Sequence, residues 1–174
     1  LPVVVFVGRL SKIKQIEILI KATEITNSKH PRINLLIVGD GPEKSKLEVL
    51  AKNRLINHNY KFLGAIYDEN QLSKIFYHSK ICISPGNIGL TGIHSLSYGT
   101  PVGSHNNFNY QMPEVEAIEY EVNGFLFKQG DVVDLSNSII NWINKSVKKS
   151  EVRKVIDLKY NPYIQKRVFD ELII

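Results

Sequence analysis

The chain has 174 residues, 43% of them hydrophobic and 22% charged, and a formal net charge of +5, which together suit one globular domain with a sizeable core. The mild basic excess fits an anionic ligand or an anionic membrane surface, whereas dispersed Lys and Arg residues argue against a nucleic-acid-binding arm. Because Cys82 is the single cysteine and the five histidines are scattered, neither an intramolecular disulfide nor a metal site is expected.

Strands and helices alternate in the first half of the chain. Runs that end near a glycine predict strands over residues 3–7, 35–38 and 60–63, of which the first is expected to be buried. We expect Asp68 to cap the third of the helices that separate and follow these strands. The apolar residues that mark the three helices are Ile16, Leu19, Ile20 and Ile25; Leu47, Leu50, Ala51 and Leu55; and Leu72, Ile75 and Phe76.

The alternation continues in the second half. Further strands are predicted over residues 81–84, around residues 101–102 and over residues 125–127, with a turn at Asn123. Helices are predicted over residues 90–98, 114–121 and 163–172, and another is marked by Leu135, Ile139, Trp142 and Ile143. This pattern predicts an α/β fold, a Rossmann-like parallel sheet with helices on both faces. We expect a single domain, with a core over about residues 3–145 and a helical tail over residues 146–174.

The segment between the fourth strand and its helix is the best candidate for a phosphate site. A loop rich in glycine, Gly86-Asn87-Ile88-Gly89, leads directly into the predicted helix. The start of a helix offers unpaired N–H groups and the positive end of a dipole to an anion. In an open α/β sheet, ligands bind at this carboxyl edge of the strands.

Short motifs occur in a fixed order along the chain. They are Phe6-Val7-Gly8-Arg9-Leu10 with Lys14, Ile37-Val38-Gly39-Asp40-Gly41-Pro42, Phe62-Leu63-Gly64, Gly89-Leu90, Gly99-Thr100-Pro101-Val102 and Asn123-Gly124-Phe125-Leu126. In this order the set resembles the C-terminal, donor-binding domain of GT-B glycosyltransferases, and especially the retaining family GT4 (glycosyl transferases group 1). The resemblance covers roughly residues 3–145. It implies that an N-terminal domain, which would bind the acceptor, is missing from this chain.

The resemblance implies that Arg9 and Lys14 are the catalytic cations. In that family the corresponding residues hold the diphosphate of a nucleotide sugar and stabilise the charge of the leaving group. Gly8 lets the backbone approach the ligand, with strand termination as the alternative explanation. The alternative for Arg9 and Lys14 is a solvated loop that carries two surface cations.

The resemblance also implies a set of residues that bind the donor. Gly39 and Gly41 form a turn whose main role is structural and whose second role is to line the ligand site. Ala65 lies where the family holds the base by backbone contacts. The N–H groups of Gly89 to Thr91 would hold the diphosphate, and no metal is implied. The complete set is Gly8, Gly39, Gly41, Ala65, Gly86, Asn87, Gly89, Leu90, Thr91 and His94.

Two carboxylates that the family usually carries are absent. Gly86 and His94 stand where the family has glutamates, the first near the donor sugar and the second at the ribose hydroxyls. We interpret the chain as a variant branch in which Asn87 or the backbone serves the sugar and His94 touches the ribose. The alternatives are a domain that has lost catalysis and, for His94, a histidine buried in the core.

A polar segment after the fifth strand is a second candidate for sugar contacts. Asn106, Asn107, Gln111 and Glu114 bring amides and a carboxylate, which suit sugar hydroxyls. The alternative is an ordinary polar loop.

The function predicted from the sequence is binding of a nucleoside-diphosphate sugar, with UDP as the expected nucleotide, for retaining transfer to a saccharide or lipid-linked acceptor in polysaccharide biosynthesis. The chain alone would transfer little. A sugar-nucleotide epimerase or phosphorylase of GT-B shape and a non-catalytic binding module are the alternatives, and nucleic acid is not an expected partner. The lone cysteine predicts a reducing, cytoplasmic location. The basic charge favours peripheral contact with the inner face of the membrane.

Overall fold

A six-stranded parallel sheet forms the centre of the molecule in a computed structural model that describes residues 1–29, 32–55 and 59–172. The strands are β1 (Val3–Val7), β2 (Asn34–Val38), β3 (Tyr60–Gly64), β4 (Ile81–Ser84), β5 (Val102–His105) and β6 (Gly124–Phe127). Their order in the sheet is β3-β2-β1-β4-β5-β6, the order of a doubly wound fold in which ligands bind where the order reverses. The predicted α/β class and parallel sheet are therefore confirmed.

Helices cover both faces of the sheet. They are α1 (Ile16–Asn27), α2 (Lys44–Arg54), α3 (Glu69–His78), α4 (Leu90–Ser97), α5 (Val132–Ile143), α6 (Lys149–Val155) and α7 (Pro162–Leu172). The helices α1, α2 and α5 share one hydrophobic core with the sheet, while α3, α4 and α6 pack on the opposite face. Within the described ranges, no helix has both the length and the apolar character that crossing a membrane requires.

Strand β1 shows how the sheet divides the core. Val4 and Phe6 point into the core beneath α1 and α5, whereas Val5 points into the core beneath α3, because successive side chains of a strand face opposite sides. Cys82 lies in the second core and is fully buried, and this burial raises the pKa of its thiol to about 12. The expectation that Cys82 is a core residue is confirmed.

The cap predicted for the third helix is present. The Asp68 carboxylate accepts a hydrogen bond from the backbone N–H of Gln71 at 2.7 Å. This bond satisfies one of the N–H groups that a helix start leaves without a partner. It also fixes the point at which the chain leaves β3 and enters α3, at the same edge of the sheet as the glycine-rich loop.

The helix predicted over residues 114–121 is wrong. The chain forms only a 3₁₀ turn over Pro113–Ala117 and then turns sharply, with Glu121 at a φ of 64°. The buried side chain of Asn123 accepts from the Glu119 N–H at 2.8 Å and donates to the Ala117 carbonyl at 2.9 Å. Asn123 therefore pairs backbone groups that a longer helix would have paired within itself.

The C-terminal tail is only partly as predicted. The predicted helix over residues 163–172 corresponds to α7, and α6 lies within the predicted helical tail, but its bounds were not predicted because Lys, Ser, Glu and Arg make up most of its short sequence. Val152 and Val155 of α6 are nevertheless buried, in the core that also contains Leu96 of α4. The tail thus contributes to the packing that holds α4 in place.

Candidate functional site

The loops that follow β1 and β2 are tied together by backbone hydrogen bonds. The N–H of Leu10 donates to the Asp40 carbonyl at 2.8 Å, and the N–H of Glu43 donates to the Leu10 carbonyl at 3.0 Å. Gly39 has a φ of +145° and a Cβ there would overlap the Gly8 carbonyl oxygen, so only glycine fits. A Cβ on Gly41 would likewise overlap the backbone of Leu10. Gly39 and Gly41 are thus required by the structure, in agreement with the role that the sequence favours for them.

A cleft of about 510 Å³ opens between the carboxyl ends of the first three strands in chain order. Five of the predicted site residues line it: Gly8, Arg9, Gly39, Gly41 and Ala65. Arg9 is exposed to solvent on this surface. The fold therefore brings Arg9 and the predicted base-binding residue Ala65 to one concave surface at the carboxyl edge of the sheet. Lys14 and the glycine-rich loop are not among the residues that line this cleft.

The start of α4 faces the loop that carries Lys14. Gly89 is the N-cap residue and no side chain caps this end, which leaves the first N–H groups of the helix open to an anion. The Lys14 ammonium lies 4.0 Å from the position that a Cβ on Gly89 would take. It donates a hydrogen bond to the Asn87 carbonyl at 2.8 Å. A fixed cation and an open helix start thus meet at one point.

Burial affects the charge of Lys14. Desolvation lowers the pKa of its ammonium below the usual range, and the nearby carboxylate of Glu114 raises it in the opposite direction. A bound dianion would add a second negative partner and favour the protonated form. Lys14 is therefore suited to hold an anionic ligand rather than to lie free on the surface.

Gly86 has a packing role that explains its lack of a side chain. Its N–H donates to the Lys14 carbonyl at 3.0 Å, and a Cβ would overlap the Ile13 carbonyl oxygen. The glycine-rich loop and the loop with the cations are thus in direct backbone contact. No glutamate fits at this position in the present arrangement.

Buried polar atoms without a protein partner cluster around Lys14. Among the described residues four such side-chain atoms occur, and three of them are Gln15 Oε1, Asn87 Oδ1 and Glu114 Oε2. Gln15 adjoins Lys14 in the chain, the Asn87 carbonyl accepts its hydrogen bond, and Glu114 influences its pKa. Because buried polar groups normally have partners, this cluster is a place where a polar ligand would find acceptors.

Gln111 is engaged within the protein. Its Oε1 accepts from the Ile88 N–H at 2.8 Å, and its Nε2 donates to Ser104 Oγ at 2.8 Å and to the His105 carbonyl at 2.9 Å. The side chain therefore joins the glycine-rich loop to the end of β5 instead of presenting its amide to a sugar. The Asn107 amide also has an internal partner, Gln129 Oε1 at 2.7 Å.

His94 belongs to a cluster between α3 and α4, and it is not a histidine buried in the core. Its ring centroid lies 5.2 Å from that of Phe76 and 5.4 Å from that of Tyr98, with about a third of the side chain accessible (34%). Nε2 of His94 lies 2.8 Å from Glu69 Oε1, to which the Tyr98 hydroxyl also donates. The hydrogen bond from Tyr98, and to a smaller extent that from His94, lowers the pKa of the Glu69 carboxyl.

Sequence reasoning did not identify Glu69 as a site residue. A glutamate in the first turn of a helix is ordinary, since it interacts well with the helix dipole. The available signal was its position directly after the β3 loop, at the edge where the other site residues lie. Its pairing with His94, 25 residues away, depends on the packing of two helices and not on a local motif.

No metal site is found in the parts of the chain that the structure describes, where His, Cys, Asp and Glu side chains do not gather in groups of three or more. His105 is buried at the end of β5, and burial lowers the pKa of its imidazole. Its Nδ1 lies 3.2 Å from the Asn107 N–H, which donates to it. His105 is thus a structural acceptor in this loop.

Comparison with known sequences identifies relatives of the chain. The family model described as Glycosyl transferases group 1 matches residues 1–157. An uncharacterized glycosyltransferase of Methanocaldococcus jannaschii is 30% identical over 124 residues, which are 70% of this chain and 30% of the archaeal protein. The chain thus spans about a third of the length of that relative.

Comparison with solved structures gives matches over nearly the whole chain. A mutant of S. aureus TarM in complex with fondaparinux, α-GlcNAc-glycerol and UDP has a TM-score of 0.82 at 22% identity, over 97% of this chain and 34% of TarM. Anabaena HepE in complex with UDP and glucose has a TM-score of 0.77 at 23% identity, over 98% of this chain and 47% of HepE. The catalytic domain of a cholesterol-α-glucosyltransferase from Helicobacter pylori has a TM-score of 0.70 at 23% identity, over 90% and 92%.

These likenesses establish the fold as the C-terminal, Rossmann-like domain of GT-B glycosyltransferases. The family model establishes the relationship in sequence, because it matches residues 1–157 of the 174. The chain belongs to the family of group 1 glycosyl transferases.

Proposed function

We propose that this chain binds a UDP-sugar at the carboxyl edge of its sheet, for retaining transfer of the glycosyl group as in family GT4. The observation that carries the proposal is the Lys14 ammonium beside the open start of α4, at the same edge of the sheet as the cleft that Arg9 lines. Two cations and a helix start suit a diphosphate. The solved complexes of TarM and HepE contain UDP, which supports uridine as the base.

The proposed donor follows the edge of the sheet. The base lies in the cleft against Ala65, the diphosphate lies between Arg9, Lys14 and the N–H groups of Gly89 to Thr91, and the ribose passes the cluster around His94. The lining of the cleft and the position of the Lys14 ammonium beside Gly89 support this order. The glycosyl group then lies beyond the diphosphate, next to Asn87 and Glu114.

Glu114 is the proposed acceptor for hydroxyl groups of the donor sugar. Its Oε2 is buried and has no partner among the described residues, and Asn87 Oδ1 is likewise buried without a partner there. Sugar hydroxyls would donate to both atoms. Glu114 would in this way provide the carboxylate that cannot be carried by Gly86.

The proposed chemistry breaks the bond between the anomeric carbon and the β-phosphate oxygen and forms a bond to the acceptor oxygen on the same face. The acceptor proton moves to the oxygen of the departing diphosphate, so no protein nucleophile is assigned. Arg9, Lys14 and the N–H groups of α4 stabilise the charge that grows on the diphosphate. This stabilisation is effective because the groups are already in place before the reaction begins.

The acceptor is proposed to be a saccharide or a lipid-linked saccharide held mainly by a separate N-terminal domain. This chain spans only 30% of the length of the archaeal relative and 34% of TarM, which supports such a division. The chain alone is then expected to bind donor and to transfer little. We place the protein in the cytoplasm, in polysaccharide biosynthesis, and its net charge of +5 supports contact with the inner face of an anionic membrane.

A non-catalytic module that binds nucleotide sugars is the second candidate. The observation in its favour is the replacement of both family carboxylates, by Gly86 and His94. The two candidates differ in one measurement. If the intact protein transfers no sugar from any UDP-sugar while this chain binds UDP, the non-catalytic function is correct.

Titration calorimetry of the chain with UDP tests the proposed site. The variants Arg9→Ala and Lys14→Ala should each weaken UDP binding by about 10- to 100-fold, because each removes a charge-assisted hydrogen bond worth about 1.5–3 kcal/mol. Lys46→Ala is the matched control, since Lys46 is an exposed lysine on α2 that pairs with Glu43. UDP binding that survives unchanged in both Arg9→Ala and Lys14→Ala would rule out this site.

A further inference from the structure

We propose that Glu69, held by His94 and Tyr98, is the carboxylate that binds the ribose hydroxyls of the donor. This inference rests on the proposed function and names a binding residue for it. The carboxylate would come from the first turn of α3, whereas the position on α4 where a carboxylate is expected carries His94.

The geometry fixes one oxygen of Glu69 and leaves the other open. Oε1 is 2.8 Å from His94 Nε2 and also accepts from the Tyr98 hydroxyl. Oε2 has no hydrogen-bond partner among the residues at 1–29, 32–55 and 59–172, and the side chain is 60% accessible. A carboxylate in this condition is oriented but still able to accept from a ligand.

The cluster lies between the two ends of the proposed ligand. Tyr67, two residues before Glu69, lines the cleft in which the base would lie. His94 is one turn further along α4 than Leu90, whose N–H lies at the open helix start. In the proposed arrangement, the ribose that links a base beside Ala65 to a diphosphate at Leu90 lies next to Glu69.

The charge of the cluster suits hydroxyl donors. The hydrogen bonds from Tyr98 and His94 lower the pKa of the Glu69 carboxyl, so it is ionised at neutral pH. An ionised carboxylate accepts from two adjacent hydroxyls, whereas an imidazole with Nε2 already engaged has a single nitrogen left. His94 and Tyr98 are in this arrangement positioning residues that act through Glu69.

The competing explanation is that the cluster only clamps α3 to α4. That clamp would affect folding but would not distinguish nucleotides that differ in their ribose hydroxyls. The relative affinity for UDP and 2′,3′-dideoxyuridine diphosphate therefore separates a binding role from a structural one. Both ligands carry the same base and diphosphate.

The experiment measures the affinity of the 174-residue chain for UDP, for the dideoxy analogue and for pyrophosphate by titration calorimetry. The wild-type chain should prefer UDP over the analogue by about tenfold or more, as expected for hydrogen bonds to a charged group. Glu69→Gln should remove most of this preference and leave pyrophosphate binding unchanged. Glu69→Asp, which keeps the negative charge at the helix start but shortens the side chain, should also reduce the preference.

Two further sets of variants complete the test. His94→Ala and Tyr98→Phe should reduce the preference partially, since each removes one of the two bonds that orient Glu69. Glu24→Gln is the matched control, because Glu24 is a half-exposed carboxylate that pairs with Arg54 at 2.8 Å, away from the cleft. The control should keep the preference of the wild-type chain.

The outcomes separate this inference from the proposed function. If the wild-type chain binds UDP but shows the same preference as Glu69→Gln and Glu69→Asp, the role of Glu69 is overturned and the donor site stands. If the wild-type chain binds neither UDP nor the analogue, the proposed function fails and the inference fails with it. Loss of pyrophosphate binding in Glu69→Gln would also contradict a contact confined to the ribose.

Discussion

Gly86 is the residue at which the glycine-rich loop meets the loop that carries Lys14. A side chain there would overlap the Ile13 carbonyl oxygen and press on the Lys14 Cα, both of which are backbone atoms that cannot move independently. The hydrogen bond from the Gly86 N–H to the Lys14 carbonyl, at 3.0 Å, depends on this close approach. The position of the loop that carries Lys14 thus depends on the absence of a side chain at Gly86.

We expect Gly86→Ala to lower the free energy of unfolding by about 1–3 kcal/mol, as for other substitutions that overfill a packed site. It should also weaken UDP binding, because the loop with Lys14 must move. Chemical denaturation and calorimetry measure the two effects. Gly89→Ala is the packing control, since a Cβ there meets only the end of the Lys14 side chain at 4.0 Å, and its loss should be limited to that of an alanine at an N-cap, under about 1 kcal/mol. Equal stability of Gly86→Ala and the wild-type chain would show that the loops are not packed as described.

The sequence was a better guide to which residues share a surface than to the hydrogen-bond partners of their side chains. The resemblance implied that Arg9, Gly39 and Ala65 belong to one donor site, and the structure places all three around one cleft. The partner of His94 was missed because Glu69 lies on a different helix. The hydrogen bonds of the Gln111 amide to Ile88, Ser104 and His105 were also missed, because they depend on how the loops pack.

At the scale of elements, the segment between β5 and β6 is the least regular part of the site. Its 3₁₀ turn over Pro113–Ala117 carries Glu114, and its end is held by the buried Asn123. The hydrogen bonds of Asn123 take the place of helical ones. The conformation of the segment therefore depends on one side chain more than on helix propensity.

We expect Asn123→Ala to lower the free energy of unfolding by about 1–3 kcal/mol, because it leaves the Glu119 N–H and the Ala117 carbonyl without their partner. Thermal or chemical denaturation measures this change. Asn144→Ala is the matched control, since the Asn144 amide donates to the Ile140 carbonyl at an exposed position. An unfolding transition that is the same in Asn123→Ala and Asn144→Ala would contradict this role.

Three of the strands that the sequence predicted correctly share a physical cause. The strands β1, β2 and β4 are short, mostly apolar runs with buried side chains on both faces of the sheet, and such runs are visible without knowledge of tertiary contacts. The helix over residues 114–121 was wrong because a buried asparagine ten residues after the proline redirects the chain. Helix α6 was not identified as a separate helix within the predicted helical tail, because only Val152 and Val155 of its seven residues are buried.

At the scale of the whole molecule, the site is a consequence of a parallel sheet. All six strands run in the same direction, so the loops after β1, β2, β3 and β4 reach the same edge. Arg9, Lys14, Ala65 and the start of α4 are therefore assembled from segments that are far apart in the chain. The fold, more than any single motif, creates the concentration of cations and N–H groups at this edge.

A crystal structure of the chain with UDP tests the donor site most directly. It should place the diphosphate oxygens about 3 Å from the N–H groups of Leu90 and Thr91 and from the Lys14 ammonium, with the uracil against Ala65. A diphosphate bound elsewhere, for example in the groove between Arg32 and Arg54, would contradict the proposed site.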